Sequence, residues 1–210
     1  EIHILEEFLF FNQYRFHKQK IAFHRATLRR YAEVLENSGH SVTYVESHQT
    51  ESDIRHFFDT VTPETVHVFD PVDNYLERRL RKACADKKIV LKLYPSPAFI
   101  NTKEDHAAFF KPTKKKFFQT QFYKQQRASL RILIEADGKP SGGKWTYDTE
   151  NRKRYPAKKI PPVVHFPKKT KHHEEAETYV NTYFSENPGA LDESIRYPID
   201  FEASRAWLEQ

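Results

Sequence analysis

The chain has 210 residues, with 34 Lys and Arg against 29 Asp and Glu, a formal charge of +5, and 17 Phe, 11 Tyr and 2 Trp beside 5 Gly, 1 Cys and no Met. Five glycines, none in a GxGxxG or Walker arrangement, exclude a dinucleotide loop or a P-loop; one cysteine, Cys84, excludes a disulfide framework and any four-cysteine zinc or iron–sulfur site built from this chain alone. The mild basic excess is compatible with a polyanionic partner without requiring one, and no apolar run approaches the roughly 20 residues that cross a bilayer, so the sequence predicts a soluble protein of a reducing, cytoplasmic compartment.

Ile2 and Ile4 alternate with His3 and Leu5 and run into Glu6 and Glu7, which predicts a strand. An aromatic loop, Phe8 to His17, follows. From Lys18 to Asn37 the residues Ile21, Leu28, Tyr31, Ala32 and Leu35 recur at helical spacing, and Gly39 stands where a helix stops. Ser41–Glu46 predicts a second strand, Ser52–Asp59 a short helix capped by Ser52, and Thr65–Phe69 a third strand closed by Asp70 and Pro71. Tyr75, Leu76, Leu80, Ala83 and Cys84 trace another amphipathic helix, and Ile89–Tyr94 a fourth strand. Strand and helix alternate through the first hundred residues, which predicts an α/β fold: a Rossmann-like parallel sheet flanked by helices, with right-handed crossovers.

The pattern changes after Pro97. Asn101 or Thr102 can cap a helix running through Phe110, and Lys114–Leu130 reads as a long basic, aromatic helix. Turn signals dominate from Asp137 to Pro167, predicting an extended linker wrapped on a surface, with Trp145 and Tyr147 inside it. Glu174–Phe184 and Phe201–Leu208 are further helix candidates.

In an open parallel sheet, ligands bind outside the carboxyl ends of the strands. Those ends are Glu6-Glu7, Glu46-Ser47, Asp70-Pro71 and Tyr94-Pro95. Acids there can accept hydrogen bonds from hydroxyls or ring N–H groups, and Phe10, Phe11 and Tyr14 can stack on a flat heterocycle; the same residues also fit ordinary strand-end acids and core aromatics. His17 and His24 lie seven apart without a third ligand at a useful spacing, so no metal site is expected. His172-His173-Glu174-Glu175 reads as a solvated face and Cys84 as packing. Lys111–Arg127 interleaves cations with aromatics, as nucleic-acid surfaces do, but better fits a helix burying its rings while its lysines face water.

Several segments together resemble one family. They are Glu6-Glu-Phe-Leu-Phe-Phe-Asn-Gln-Tyr-Arg-Phe-His-Lys-Gln-Lys20, Phe117-Phe-Gln-Thr-Gln-Phe-Tyr-Lys124 and, most specific, Gly142-Gly-Lys-Trp-Thr-Tyr-Asp-Thr-Glu-Asn-Arg152. They are similar to the N-terminal half of the deoxyribodipyrimidine photolyase-related proteins, the bacterial cryptochrome and (6-4) photolyase group that carries an iron–sulfur cluster. The resemblance implies an α/β antenna-chromophore domain over residues 1–133, an interdomain linker over 134–170 and the start of a helical FAD domain over 171–210. It implies a first strand ahead of Glu1, and FAD and a four-iron–four-sulfur cluster in a half following Gln210. The fragment itself would not catalyse; its parent would be a lyase repairing (6-4) photoproducts in damaged DNA, a monomer without membrane association. The alternatives are a blue-light-sensing cryptochrome without repair activity and a basic nucleic-acid-binding α/β module. A lumazine-type antenna pigment is implied for the α/β domain, with Glu6 and Asp70 as pocket acids and Tyr14, Ile21 and Arg25 on the facing helix side. Phe10 stands where some lumazine-binding members carry an acid. Lys144, Trp145, Asn151 and Arg152 would contact the other domain or DNA.

Overall fold

The computed structural model describes residues 1–148, 151–191 and 197–209. Its elements run β1 (Ile2–Leu5), α1 (Phe8–Phe11), α2 (Lys18–Asn37), β2 (Val42–Val45), α3 (Ile54–Thr60), β3 (Thr65–Phe69), α4 (Asn74–Asp86), β4 (Val90–Tyr94), α5 (Lys103–Phe109), α6 (Gln119–Ser129), α7 (Lys171–Tyr183) and α8 (Phe201–Leu208). The alternation expected over the first hundred residues is present, and the fold is α/β of the Rossmann-like kind. The four strands pair as two short parallel sheets, β1 with β2 and β3 with β4. Leu5 sits opposite Val45 and Phe69 opposite Tyr94, so each pair ends level at its carboxyl end. No described helix is long and apolar enough to cross a membrane.

The chain divides into two compact units, one of residues 1–96 with 163–210 and one of residues 97–162. The first unit holds two apolar clusters. Phe11, Ile21, Ala22 and Ala26 meet Ala176, Tyr179, Val180 and Phe184, joining α2 to α7. Three of those contacts are alanines with no exposed surface, and small side chains there let the two helices approach closely. In the second cluster Ile54, Phe57 and Phe58 of α3 pack with Leu80, Ala83 and Cys84 of α4, while Val66, Val68, Leu91 and Leu93 of the β3–β4 pair lie against them. Each fully buried Phe contributes about 1.5–3 kcal/mol by leaving water, so Phe11 and Phe58 anchor one cluster each. Cys84 is buried in this layer and its thiol pKa is pushed up by burial.

Several boundaries differ from expectation for local reasons. Phe8–Phe11, expected as loop, forms one helical turn because the Glu7 carboxylate caps it through the Leu9 N–H. Asp53, not Ser52, caps α3: its carboxylate accepts from the Arg55 N–H at 2.9 Å, while Ser52 ends a 3-10 turn. The helix expected from Lys114 starts at Gln119. Three successive lysines would repel one another and the positive end of a helix, and they lie ahead of it instead.

The second unit contains α5 and α6. Thr102 and Asp105 form a reciprocal cap on α5. Phe109, Phe110, Phe122 and His106 form a ring cluster, with Phe110 and Phe122 centroids 5.0 Å apart. Buried Arg127, at the end of α6, donates to the carbonyls of Ile132 (3.1 Å), Leu133 (2.6 Å) and Trp145 (2.7 Å). One guanidinium therefore satisfies three carbonyls of a segment with little regular structure, which fixes that segment against α6.

Candidate functional site

Because β1 and β2 are parallel, Glu6 and Glu46 leave the sheet side by side. The Glu6 N–H donates to Val45 O at 3.0 Å, extending the ladder by one bond. Its side chain turns inward and is 0% exposed. One carboxylate oxygen accepts from Arg25 Nη1 at 2.7 Å and the Tyr44 hydroxyl at 2.8 Å; the other accepts from the Ser47 N–H at 2.8 Å.

Arg25, 1% exposed, is the hub. It donates through Nη2 to Glu46 at 2.9 Å and through Nε to both Glu175 oxygens at 3.1 Å, and its guanidinium lies 3.4 Å from the Tyr179 ring centroid. Burial works against its charge, but the Glu175, Glu6 and Glu46 carboxylates outweigh that and raise its pKa. Arg29 also pairs with Glu46 and lies over the Tyr44 ring. Burial and the Glu6 carboxylate push the Tyr44 phenol well above its ordinary pKa. Burial opposes ionisation of Glu46, and the hydrogen bond from Arg25 overcomes it, leaving that carboxyl below the ordinary range. A buried arginine beside one carboxylate is expensive, and further hydrogen bonds are what make such a site tolerable.

The network reaches the surface through Tyr179. Its hydroxyl lies 3.0 Å from Ser47 Oγ and 3.0 Å from His48 Nδ1, and it accepts from the His48 N–H at 3.3 Å. The His48 ring stacks on Tyr183, 4.5 Å between centroids and 4° from parallel. Beside it opens a cleft of about 570 Å³ at the carboxyl ends of β1 and β2, lined among others by Phe8, Asn12, His48, Asp53, Arg55 and Tyr183. The Asn12 amide donates to Ser47 O at 2.7 Å, and the Arg55 guanidinium pairs with Asp53 and lies 5.6 Å from the Phe8 ring. The walls thus offer aromatic faces, one carboxylate–guanidinium pair and small polar groups. That combination suits a flat, hydroxyl-bearing organic ligand.

The residues expected at the site are distributed unevenly. Glu6 and Arg25 are bound to each other, and Ile21 packs in the α2–α7 core. Phe10 is half-buried against His24, whose ring stacks on Phe11 at 5.0 Å and whose pKa is lowered by burial. Tyr14 is 70% exposed, edge-on to Phe16. Asp70 follows β3 and accepts from the Val72 N–H at 3.0 Å. In the second unit, Trp145 is half-buried with its carbonyl on Arg127, Asn151 donates to Asp148 at 2.6 Å, and Lys144 and Arg152 are exposed. Thr149 and Glu150 of the Gly-Gly-Lys-Trp run lie outside the described residues.

His17 caps α2 by accepting from the Gln19 N–H at 3.2 Å. The face expected to be solvated, His172 to Glu175, is instead structural. His173 is buried and caps α7 by accepting from the Thr170 N–H at 3.1 Å, His172 pairs with Glu33, and Glu175 holds Arg25. Tyr179 and His48 carry no sequence motif, and Glu175 stands in a run that reads as solvated. The usable signal was spacing: Glu175 and Tyr179 are one helical turn apart, next to the apolar Ala176 and Val180.

Residues 1–195 match the family described as deoxyribodipyrimidine photo-lyase-related protein. An uncharacterized protein of Acanthamoeba polyphaga mimivirus is 31% identical over 166 residues, which covers 74% of this chain and 83% of the viral protein. A (6-4) photolyase of Agrobacterium fabrum is 24% identical over 144 residues, which covers 65% of this chain and 28% of that protein. The match therefore spans less than a third of the photolyase's own length.

Proposed function

The chain belongs to the deoxyribodipyrimidine photo-lyase-related family, and from that membership we propose that its strand-bearing unit is the antenna region of a photolyase-like flavoprotein whose full-length form repairs (6-4) photoproducts in DNA with light. The observation that carries the antenna assignment is the cleft beside His48 and Tyr183. Its volume of about 570 Å³ lies within the range of roughly 300–1,000 Å³ usual for small-ligand sites, and it opens where parallel sheets commonly bind ligands.

The ligand proposed is a lumazine-type pigment, a flat heterocycle carrying a polyhydroxyl chain. The residues present fit such a group. The stacked His48 and Tyr183 rings offer a flat aromatic face to the heterocycle, and the Asn12 amide oxygen and the Asp53 carboxylate, both lining the cleft, can accept from hydroxyls. When bound, the pigment supplies light absorption and passes excitation onward. The chain's own task is placement: the Glu6 carboxylate fixes the Ser47 N–H, Arg25 fixes Glu6 and the Tyr179 ring, and Tyr179 fixes Ser47 and His48. Glu6, Ile21 and Arg25 act from behind the cleft wall, with Phe10 in the layer beside them. Tyr14 and Asp70 take no part in this reading. A four-cysteine cluster does not fit a chain whose one cysteine, Cys84, is buried between α3 and α4, and none of its residues is assigned to FAD.

The test is the absorption spectrum of the full-length protein purified in the dark, as wild type, His48→Ala and Tyr183→Ala. A near-ultraviolet to blue band separate from the flavin bands, lost in the variants while the flavin bands stay, supports the reading. A wild-type protein that gains no second band on reconstitution with the lumazine, or a band unchanged in both variants, overturns it. Illumination with DNA containing a (6-4) photoproduct tests repair separately: a lesion that persists would identify a light sensor.

A further inference from the structure

The charge of this chain is not evenly spread. Residues 97–162 carry 15 Lys and Arg against 6 Asp and Glu, a formal +9, whereas the remaining residues carry 19 against 23, a formal −4. The overall +5 is the sum of one strongly basic unit and one acidic unit. A surface that merely needs solubility intersperses both signs, and residues 111–124 do not: Lys111, Lys114, Lys115, Lys116 and Lys124 are all exposed with no acid between them. Among the described residues none of these five is paired with a carboxylate.

Aromatic rings accompany the cations. The expected helix burying its rings holds only for Phe122, which packs on Phe109 and Phe110. Phe117, Phe118 and Tyr123 are 54%, 56% and 45% exposed. Phe117 is mounted on that cluster, 5.5 Å from Phe110, and Lys114 lies 3.9 Å over the Phe109 ring. Phe117 is therefore backed by packed rings, and little of its rotamer freedom remains to be lost on contact. Gln119, Gln121 and Gln125 flank them with exposed amides.

We propose that residues 111–124 form a binding surface for a nucleic-acid strand whose bases are unstacked, with the lysines on phosphates and Phe117, Phe118 and Tyr123 on base faces. Unstacked bases are the chemistry that uses exposed rings and unpaired cations together. A duplex would use the cations and leave the rings in water, and a membrane-inserting face would be continuously apolar where this one is broken by glutamines. The inference is independent of the pigment: it needs neither the cleft nor His48.

The experiment uses the full-length protein and a fluorescein-labelled, undamaged oligothymidylate, with affinity read by anisotropy across a potassium chloride series. The wild type should bind with a steep salt dependence. The triple variant Lys114→Gln, Lys115→Gln, Lys116→Gln should lower the slope of log affinity against log salt by about 2, from roughly 0.7 per phosphate contact on a single strand. Phe118→Ala and Tyr123→Ala should each weaken binding about 5- to 150-fold while leaving the slope unchanged. All positions are exposed, so the melting temperature should stay unchanged. Unchanged slope and affinity in every variant overturn the proposal. So does a melting temperature lowered in the ring variants without an affinity change, which would mean the rings are covered by other parts of the protein. Binding to anionic phosphatidylserine vesicles, without binding to the oligonucleotide, overturns it as well.

Discussion

Replacing Arg25 by methionine removes the one cation that Glu6, Glu46 and Glu175 share, and the three carboxylates do not suffer equally. Glu175 is 44% exposed on its side chain and returns to water. Glu46 keeps Arg29. Glu6, with no exposed surface, retains only the Tyr44 hydroxyl and the Ser47 N–H, both at 2.8 Å. The damage therefore concentrates on one buried, uncompensated charge, which costs about 3–5 kcal/mol. For a chain of this length that corresponds to a fall in melting temperature of roughly 6–20 °C. Glu175→Gln leaves Arg25 with two carboxylates and gives up a half-exposed pair, an expected loss of about 0–1 kcal/mol. Adding Glu6→Gln to Arg25→Met removes the stranded charge and should recover part of the loss, with a coupling of about 0.5–3 kcal/mol. Urea unfolding of the wild type, these three variants and Glu6→Gln alone, read by circular dichroism at constant m, measures each value. A loss below about 1 kcal/mol for Arg25→Met, or equal losses for Arg25→Met and Glu175→Gln, would refute the reasoning that Glu6 bears the burden.

Three further outcomes are expected. Gly189 has φ +89° and a Cβ there would run into the His17 imidazole, whereas Gly39, with φ +86°, faces open space; Gly189→Ala should cost about 1–3 kcal/mol more than Gly39→Ala, and equal losses in parallel melts would contradict this. Glu33 is held at about 2, first by Lys171 and then by His172, against an ordinary 4.5. A depressed carboxylate stabilises the fold above its unfolded pKa, so this contribution disappears as pH falls from about 4.5 to about 2; melts across that window should show a smaller acid loss in Glu33→Gln, and identical profiles would dismiss the pairing. Cys84, buried with a raised thiol pKa, should react with a thiol-specific disulfide reagent only at the rate of unfolding; immediate stoichiometric reaction in the native protein would place it at the surface.

What could be read in the sequence was local. The strands ending at Glu6, Glu46, Phe69 and Tyr94 follow from β-branched and aromatic runs bounded by turn residues, and the long α2 follows from its apolar spacing. Pairing is not local, so nothing in the residues 2–5 or 65–69 announced that β1 and β3 belong to separate two-stranded sheets. The same holds for the site. Arg25 is marked only by the family resemblance, its partner Glu175 lies 150 positions away, and Glu175 in isolation looks like any acid on a charged helix face. The helical reading of Lys114–Leu130 could not say that Phe117 and Phe118 would precede the helix, because the repulsion among Lys114, Lys115 and Lys116 decides where it begins.

The separation of 150 residues between Arg25 and Glu175 also sets an order of events during synthesis. At about 5–20 residues per second, α2 leaves the ribosome on the order of 10 s before α7 exists. For that interval Phe11, Ile21, Ala22 and Ala26 have no Ala176 or Val180 to meet, and Arg25 lacks one of its three carboxylates. Loop closure over that distance comes late and slowly. A nascent chain stalled before Lys171 would thus hold its first strands beside an uncovered apolar helix face, making translation through α7 the step that commits the domain to its fold and the interval in which chaperone protection matters most.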